Sequence, residues 1–578
     1  MVVNGIVVFV AATWFTTTPA ATRSDVEAIG VGERVPPARS LRDLRGNRRS
    51  LRLYNRDHVL VLAFLGTHCP LANRYIPKLK QMHREYAPRG VLFLGIYPNA
   101  YEDLDMVAAH AADHDIPFPV LKDVRQQLAE RLGVKRTPTV VVIDRAGMLR
   151  YRGMIDDQYG VGYARARATE EPLRAALDAV LQGAPVQVPE TEADGCVLVH
   201  AEPLRVGRTL TYCRDVAPIL QRRCQPCHRP GQVAPFALET YQDAVRWARM
   251  IREVVLQRRM PPWHADARYG SFRNDRRMSW DEIETIVAWI DQGTPKGDET
   301  ELPEPVQWPE DWIIGTPDLV LRMPKAFHVP AEGVLPYQYF VVDPGFREDR
   351  WVVAAEVRPG HRPVVHHVIV HILRPGRKLY GRDGELATLV AWAPGDDPMV
   401  CPDGTALRIP AGAKLVFEMH YTPYGRPAVD RTEVAIRFAP GPPEREIRNN
   451  LFANTRIRIP PGALHHREEA EISFPRAARI VSLFPHMHWR GKSFRYELIY
   501  PDGRTRTILS VPRWDFNWQT HYTFTTPLRV PAGTRLRAIA HWDNSPYNPY
   551  NPDPDAEVRW GLQTWDEMMV GWVTYVWE

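Results

Sequence analysis

The spacing of apolar residues changes twice along this chain of 578 residues, and each spacing suits a different kind of fold. Residues 25–182 alternate between buried-strand runs and helix-like segments. Residues 205–297 carry helical spacing, whereas residues 317–578 form short alternating segments interrupted by Pro and Gly. This order predicts a multidomain protein that is α/β, then all-α, then all-β, with antiparallel β-sandwiches in the last part.

Stretches rich in Pro and polar residues separate these regions. Gly183–Asp194 and Gly293–Glu310 have the composition of linkers, and a weaker boundary lies at Ala439–Glu446. The predicted domains span residues 25–190, 205–300, 311–442 and 446–578. The last two together are long enough for two sandwiches.

The start of the chain has the pattern of an export signal. An apolar run from Gly5 to Phe15 precedes the small residues Thr18–Ala21, which predicts a signal segment over residues 1–24. No Lys or Arg precedes the apolar run, so a start without defined structure is the alternative. No run approaches the ~20 apolar residues of a membrane span. A net charge of +5 over this length predicts no nucleic-acid partner.

The first region predicts a sheet covered by helices. Strand-like runs occupy His58–Gly66, Val91–Tyr97 and Thr139–Ile143. Helix-like segments occupy Cys69–Tyr86 and Val124–Leu132 between them. Alternation of this kind is typical of α/β folds.

The helical region contains a Cys-x-x-Cys-His motif, in which His228 directly follows Cys227 and Cys224 lies three residues earlier. Two thiols at this spacing can form thioethers to the vinyl groups of a haem, and the histidine then reaches the iron. The alternatives are a zinc pair, a disulfide or a chance motif. Zinc requires two further ligands at regular spacing, and none lies near in the sequence.

Met260 is the predicted second axial ligand of that haem, because it follows a predicted helix and precedes two prolines. Met278 is a rival that immediately precedes a helix cap. The region resembles the c-type cytochrome modules of large bacterial proteins over three segments, Asp215–His228, Arg259–Trp263 and Trp289–Gly293. The resemblance implies a covalent haem c and therefore export, with a periplasmic location in bacteria.

Histidines of the β-rich half fall into three groups: His366 with His367, His420, and His486 with His488. Residues i and i+2 of a strand point the same way, so His486 and His488 can converge on one metal ion. The adjacent pair at 366 and 367 would point to opposite faces of a regular strand and could share a metal only at a bulge. His371 is too far along the strand to join them.

In the order HH, MHY, HMH and DEMM, these motifs resemble the copper type II, ascorbate-dependent monooxygenases, which include the peptidylglycine- and dopamine-hydroxylating enzymes. The resemblance spans residues 317–578 and implies two β-sandwich, jelly-roll-like domains with one copper each. It assigns the first copper to His366, His367 and His420, and the second to His486, His488 and Met568. Met569 is the nearest alternative to Met568. O₂ and a C–H donor would be the substrates, with ascorbate or a protein as electron donor.

The sequence departs from the peptide-amidating relatives at their substrate-binding positions. The position of their carboxylate-gripping Arg is Phe484, and their Asn and Tyr correspond to Val570 and Trp572. An apolar pocket cannot compensate for the burial of a carboxylate. We therefore expect a small substrate that is not held by a carboxylate, and not a peptidylglycine.

Cys69 follows a buried strand and opens a helix, and Pro138 precedes a later strand. This arrangement resembles the thioredoxin-like redoxin family, in which the active Cys lies at a helix N-terminus beside a cis-proline loop. The position of a second motif cysteine is Ala72, so a local dithiol cycle is excluded. Three interpretations remain open: a degenerate docking domain, a one-cysteine site reactive toward peroxide or thiols, and copper handling through Cys69 and His68. Two further cysteines, Cys196 and Cys213, could pair with each other or resolve Cys69.

Taken together, these patterns predict an exported copper monooxygenase that hydroxylates a C–H bond and receives electrons through its own haem c. A thiol or peroxide redox protein centred on Cys69 is the alternative. A copper- and haem-binding electron carrier without catalysis is another. Either alternative leaves room for a redox partner protein.

Overall fold

A computed structural model of the chain describes residues 27–37, 41–200, 207–309, 311–377 and 387–578. The predicted signal segment, residues 1–24, lies outside the described residues. Within the described ranges, no helix combines the length and apolarity needed to cross a membrane.

The N-terminal domain is a six-stranded sheet with helices on both faces. Its strands are β1 (Leu41–Asp43), β2 (Val59–Phe64), β3 (Val91–Tyr97), β4 (Val120–Asp123), β5 (Arg136–Thr137), β6 (Thr139–Ile143), β7 (Leu149–Gly153), β8 (Tyr159–Gly160), β9 (Tyr163–Ala164) and β10 (Cys196–Val197). Its helices are α1 (Leu51–Tyr54), α2 (Pro70–Tyr86), α3 (Leu104–Asp113), α4 (Gln127–Arg131) and α5 (Pro172–Leu181). The sheet order is β1-β4-β3-β2-β6-β7.

The central strand β2 shows why helices cover both faces of this sheet. All six of its residues are buried, and alternate side chains point to opposite faces. Val61 packs into the core with α2, α3 and α5, whereas Leu62 packs into the core with α1 and α4. Strands β2, β3 and β4 are parallel, as expected for strands joined through helices.

Two expectations for this domain need correction. The helix predicted at Val124–Leu132 is a 3₁₀ turn at Val124–Gln126 followed by α4, because Arg125 and Gln126 have positive φ angles. The segment after residue 190 is not a free linker. Strand β10 pairs with β5, so the described domain continues beyond the predicted boundary.

The helical region comprises a π-helical turn at Tyr212–Val216, α6 (Ala217–Arg223), α7 (Tyr241–Leu256) and α8 (Trp280–Asp291). Helices α7 and α8 each begin with a capping box, formed by Thr240 with Asp243 and by Ser279 with Glu282. The apolar face of α8 is buried with α6 and α7 in one core. This region is therefore a small helical domain, as the spacing predicts.

The β-rich half contains the remaining strands. They are β11 (Leu319–Arg322), β12 (Phe327–Val329), β13 (Gln338–Val342), β14 (Arg350–Arg358), β15 (Val365–Leu373), β16 (Ala387–Trp392), β17 (Met399–Val400), β18 (Thr405–Ile409), β19 (Lys414–Tyr421), β20 (Ala428–Asp430), β21 (Glu433–Phe438), β22 (Arg445–Ala453), β23 (Arg458–Ile459), β24 (His466–Phe474), β25 (Ala478–His486), β26 (Gly491–Ile499), β27 (Thr505–Val511), β28 (Tyr522–Val530), β29 (Thr534–Trp542), β30 (Val558–Arg559) and β31 (Val570–Trp577).

Two sandwiches form this half, and they share one sheet. A continuous nine-stranded sheet runs β11-β21-β14-β18-β22-β31-β25-β28, with β17 on β14. The sheet β13-β19-β15-β16 covers the first part of it, and β24-β29-β26-β27 belongs to the second. The parallel pair β18–β22 joins the two parts, since Thr405 lies opposite Arg445. This shared sheet limits independent movement of the two sandwiches.

The helical domain is packed against the second sandwich rather than tethered to it by a free linker. Trp263 and Phe272, from the segment between α7 and α8, are buried in the core of that sandwich. The ring of Trp263 contacts Tyr522 at 5.1 Å, and the ring of Phe272 contacts Phe524 at the same centroid distance. The region that carries the Cys-x-x-Cys-His motif is therefore held at a defined place beside the β-rich half.

Candidate functional site

A cluster of three histidines lies in the first sandwich, where β15 begins and β19 ends. His366 and His367 come from β15, and His420 comes from β19. Each offers a ring nitrogen, and these three atoms lie within 4.8 Å of one another. His420 Nδ1 is buried without a hydrogen-bond partner. An unpartnered buried nitrogen facing two other imidazoles fits a metal ligand set.

A bulge allows adjacent histidines to join this cluster. In the pairing of β15 with β19, Val365 lies opposite Tyr421 and His367 lies opposite His420, which leaves His366 without a partner. The Nδ1 atoms of His366 and His367 are 3.1 Å apart. The strand is thus distorted at the place where a regular strand would separate the two rings.

Burial keeps these imidazoles neutral. It lowers the pKa of His366 to about 4 and that of His420 to about 3, and the neighbouring histidine charges act in the same direction. The pKa of His367 is also far below its usual range because of burial. Neutral imidazole is the form that binds a metal ion.

A second set of donors belongs to the same cavity, which His366, His367 and His486 all line. His486 ends β25 and His488 follows two residues later, with ring centroids 5.2 Å apart and ring planes at 89°. His488 Nε2 is buried without a partner. Met568 lines the same cavity as His486, whereas Met569 is fully buried in the sandwich core. Of the two methionines, Met568 therefore lines the cavity that His486 lines, and Met569 belongs to the core.

Hydrogen bonds orient these two histidines. Gln519 lies with its Oε1 2.6 Å from His486 Nδ1. His488 donates its backbone N–H to Glu567 at 2.8 Å, and its Nδ1 lies 3.3 Å from the carbonyl oxygen of Asp566. Both contacts use Nδ1, so both Nε2 atoms are left for a ligand.

The cavity between the two sets has a volume of about 620 Å³. Phe516 lies between them, with its ring stacked on His366 at 4.7 Å and edge-on to His488 at 6.1 Å. Arg273 and Asn274 of the helical domain also line the cavity. Sequence reasoning did not find Phe516, Gln519 or Asn274, since they follow no motif and reach the site only through tertiary packing.

One side of the cavity is apolar. Phe484, Val570 and Trp572 all line it. The ring of Phe484 lies 5.3 Å from that of Trp572 and stacks on His521 at 4.2 Å. No cationic side chain occupies the position of Phe484, although Arg273 lines the same cavity.

The Cys-x-x-Cys-His motif follows α6 in the helical domain. Cys224 and Cys227 are unpaired and partly exposed. His228 Nδ1 lies 3.1 Å from the carbonyl oxygen of Phe236, which leaves Nε2 available to an iron atom. Burial raises the pKa of Cys224 to about 12 and also raises the pKa of Cys227.

The two candidate axial methionines differ in their surroundings. Met278 is 4% exposed and belongs to the core of the helical domain. Met260 is partly exposed, in the segment that follows α7. Met260 is therefore the one of the two whose thioether is not already used in core packing.

Cys69 lies at the N-terminus of α2, where its sulfur accepts the N–H of Ala72 at 3.4 Å. Its S–H donates to the carbonyl oxygen of Thr137 at 3.0 Å, and the peptide bond from Thr137 to Pro138 is cis. Burial acts to raise the pKa of Cys69, but hydrogen bonds from Ala72 and from Cys196 outweigh it and the pKa is lowered. A lowered pKa favours the nucleophilic thiolate.

His68 does not join Cys69 in a common ligand set. Its Nδ1 lies 2.9 Å from Thr67 Oγ1, and its ring faces Tyr101 at 5.8 Å. The sulfur of Cys69 contacts Thr137 instead. Nothing in this local geometry favours the copper-handling interpretation of these two residues.

The N-terminal domain is similar to known proteins. Residues 31–152 match the AhpC/TSA family. The thiol-disulfide oxidoreductase ResA of Geobacillus thermodenitrificans is 30% identical over 123 residues, which are 21% of this chain and 68% of that protein. The ResA protein of Halalkalibacterium halodurans is 29% identical over 107 residues, so the chain spans 59% of the length of that relative.

The chain is also similar in part to solved structures. A hypothetical protein of Sinorhizobium meliloti 1021 is 31% identical over 31% of this chain and 98% of that chain, with a TM-score of 0.28. A putative thiol:disulfide interchange protein DsbE of Chlorobium tepidum is 22% identical over 27% of this chain and 99% of that chain, with a TM-score of 0.23.

Proposed function

Since residues 31–152 make this chain a member of the AhpC/TSA family, with a thioredoxin-like N-terminal domain, we propose that it is an oxidoreductase with two chemically different centres. One is a thiol centre at Cys69. The other is a copper centre in the β-rich half. The comparisons support the first, and the geometry of the histidines supports the second.

The thiol centre rests on the position of Cys69. The sulfur lies at the N-terminus of α2 and accepts an amide N–H, which stabilises the thiolate. Two of the relatives named above are thiol-disulfide oxidoreductases. We therefore assign thiol–disulfide exchange to this domain, with Cys69 as the nucleophile.

The copper centre rests on one observation: ring nitrogens of three neutral histidines lie within 4.8 Å of one another, and two of these histidines line the cavity that His486 and Met568 also line. Imidazole suits copper, and the thioether of Met568 favours Cu(I). Two copper ions held here would supply O₂-dependent hydroxylation of a C–H bond. The protein's own side chains hold and orient the ligands, and Phe484 and Trp572 exclude water from the substrate side.

The helical domain is the proposed electron source. Cys224, Cys227 and His228 would hold a haem c, with Met260 as the candidate second axial ligand. Arg276 of this domain pairs with Asp397, which lines the copper cavity, at 3.3 Å. Electrons from ascorbate or from a partner protein would thus enter next to the copper site. Export to the periplasm, where haem c is attached in bacteria, is part of the same proposal.

Elemental analysis and O₂ uptake test the copper centre. We expect two copper ions per chain, and O₂ consumption coupled to a hydroxylated product from an apolar C–H donor. His420→Ala should lose one copper ion. His371→Ala is the matched control, since His371 lines the cavity but pairs with Glu418 at 3.1 Å. Stoichiometric copper without product-coupled O₂ uptake would show an electron carrier instead.

The thiol centre has an independent test in copper-free protein. Cys69→Ser should abolish exchange with a disulfide and leave copper binding unchanged. Cys401→Ser is the control, because Cys401 is buried in the first sandwich. Exchange that survives in Cys69→Ser would refute the assignment.

A further inference from the structure

The family's local second cysteine is absent here, but a distant cysteine lies at the same thiol. Strand β10 pairs antiparallel with β5, and its register places Cys196 directly opposite Thr137. Thr137 is the residue whose carbonyl oxygen accepts the S–H of Cys69 at 3.0 Å. Cys196 is close enough to Cys69 to help lower the pKa of that thiol, and Cys69 in turn raises the pKa of Cys196. Cys196 therefore lies opposite the residue that contacts the Cys69 sulfur, although the two cysteines are 127 positions apart in the sequence.

Several contacts hold Cys196 in this place. Arg136 donates to the carbonyl oxygen of Gly195 at 2.8 Å, and Leu198 donates its N–H to the carbonyl oxygen of Lys135 at 3.1 Å. Val199 donates its N–H to Asn99 Oδ1 at 3.0 Å. The segment is thus bonded to the domain on both sides of Cys196.

Gly195 shows how closely this segment approaches. Its φ angle is +152°, and a Cβ atom there would lie 2.0 Å from the carbonyl oxygen of Thr137. Only glycine fits at such a distance. The close approach of this segment to the Cys69 site therefore depends on the glycine at position 195.

We propose that Cys69 and Cys196 form one redox centre, in which Cys69 is the nucleophile and Cys196 is the resolving thiol, acting on low-molecular-weight disulfides. This inference rests on the proposed thiol function and adds its second residue and its substrate class. Cys69 is 3% exposed, whereas Cys196 is exposed. The difference suits a buried nucleophile and a partner that can also meet an external reductant.

The proposed reaction consists of two successive thiol–disulfide exchanges. The thiolate of Cys69 attacks one sulfur of a disulfide RS–SR, the S–S bond breaks, and one RS⁻ leaves and takes up a proton. The thiolate of Cys196 then attacks Cys69 Sγ, which releases the second RS⁻ and forms the Cys69–Cys196 bond. The protein loses two electrons and the small disulfide gains them. A dithiol reductant must return them for the next cycle.

The electrostatics of the pair suit this order of attack. Burial and then the neighbouring Cys69 raise the pKa of Cys196 to about 11, while that of Cys69 is lowered. Cys69 thus reacts first. Once it is bound to RS it carries no charge, so its effect on Cys196 disappears and the second thiol becomes easier to ionise.

The substrate class follows from the same strand pairing. Among the described strands, β5 pairs only with β10. Strand β10 therefore already occupies the edge of β5 at which Cys196 lies opposite Thr137, so an extended polypeptide cannot add at that edge. A small disulfide needs no such pairing.

Trapping experiments on the full-length protein test the pair. The reduced protein is mixed with glutathione disulfide, quenched with an alkylating agent and analysed by peptide mass spectrometry. We expect a Cys69–Cys196 cross-linked peptide in the wild type. In Cys196→Ser, Cys69 should instead remain bound to glutathione, and release of the second glutathione should slow at least about tenfold, because the intramolecular step is lost.

Val197→Ser is the matched control, since Val197 is 62% exposed on the same strand, and it should form the cross-link like the wild type. Wild-type protein that stops at Cys69–glutathione would overturn the pair and leave the thiol function standing. A Cys69 that reacts in neither protein would overturn both. Reduction of insulin as fast as glutathione disulfide would overturn the substrate class.

Discussion

His486 Nδ1 lies 2.6 Å from the side-chain oxygen of Gln519, and this contact decides which nitrogen of His486 can bind a metal. Gln519 Nε2 donates to the carbonyl oxygen of Phe516 at 3.2 Å, so the amide is oriented with its oxygen toward the histidine. An amide oxygen only accepts, and the proton of the neutral imidazole must therefore be on Nδ1. Nε2 is left with its lone pair toward the cavity.

Gln519→Leu should weaken copper binding at the His486–His488–Met568 set by about 10- to 100-fold, since partners behind a ligand typically contribute that much to metal affinity. Copper titration of the apo-protein measures it. Gln519→Glu can still accept from Nδ1 and should retain tighter binding than the Leu variant. Equal affinity in the wild type and the Leu variant would contradict this role.

Met568→Leu should remove one of the two proposed copper ions in its Cu(I) form, because Leu offers no thioether. Met569→Leu is the matched control, as Met569 is fully buried in the core and the exchange nearly conserves volume. Copper per chain under reducing conditions is the readout. The assignment fails if Met569→Leu loses the copper ion and Met568→Leu keeps it.

Phe484→Ala should raise KM for an apolar substrate roughly 10-fold or more, because fully burying a phenyl group against the substrate contributes about 1.5–3 kcal/mol. Steady-state kinetics with a series of apolar C–H donors measures this change. Glycine-extended peptides should be poor substrates of the wild type. If they proved the best substrates, the apolar wall of Phe484 and Trp572 would not be the specificity determinant.

Replacing Cys224 and Cys227 with Ala should abolish covalent haem and slow turnover with a protein electron donor, while turnover with ascorbate should persist. The reduced haem spectrum and O₂ uptake with each donor are the measurements. Cys213→Ala, a buried cysteine of the same helical core, serves as the control. An equal loss with both donors would show that the haem is structural.

The N-terminal domain should lose stability in mild acid through His83. Burial lowers the pKa of His83 to about 4, with a smaller effect of Arg84, against 6.5 for the unfolded chain. Below pH 6.5 the unfolded state binds the proton and the folded state does not, so stability falls as the pH falls from 6.5 to 4. At pH 5 the loss amounts to about 2 kcal/mol.

His83→Leu removes this titration and keeps a side chain that packs against Phe93 and Phe118. Hydrogen exchange of the central strands at pH 5 and pH 8 compares the two proteins. The wild type should lose about 2 kcal/mol more than the variant between these values. An identical pH dependence in both would rule out His83 as the cause.

The boundaries of several elements follow from local sequence alone. Val91–Tyr97 and Thr139–Ile143 form strands where the apolar spacing predicts them. The capping boxes at Thr240 and Ser279 are equally local, because each joins residues three positions apart. These signals come from residues within one helical turn or one strand, and such residues are close together in the sequence.

The bulge at His366 shows the limit of the sequence argument. Strand geometry predicts that adjacent histidines can share a metal ion only at a bulge. The register of β15 against β19 contains such a bulge, and the sequence alone does not reveal it. Register depends on the whole face that is buried, and no short segment contains that information. The choice of Met568 over Met569 is of the same kind, because it depends on which side of the last strand faces the cavity.

Local sequence predicts the order of the folded regions and the ligand types of the candidate metal and haem sites, and it excludes a second cysteine three residues after Cys69. Tertiary structure alone brings Cys196 opposite Thr137 at the Cys69 site and packs Trp263 and Phe272 into the core of the second sandwich. It also sets Phe516 against His366 and Gln519 against His486. Motifs specify which atoms are available. Pairing of distant strands and burial of apolar surface decide which of those atoms meet, and both arise from the chain as a whole.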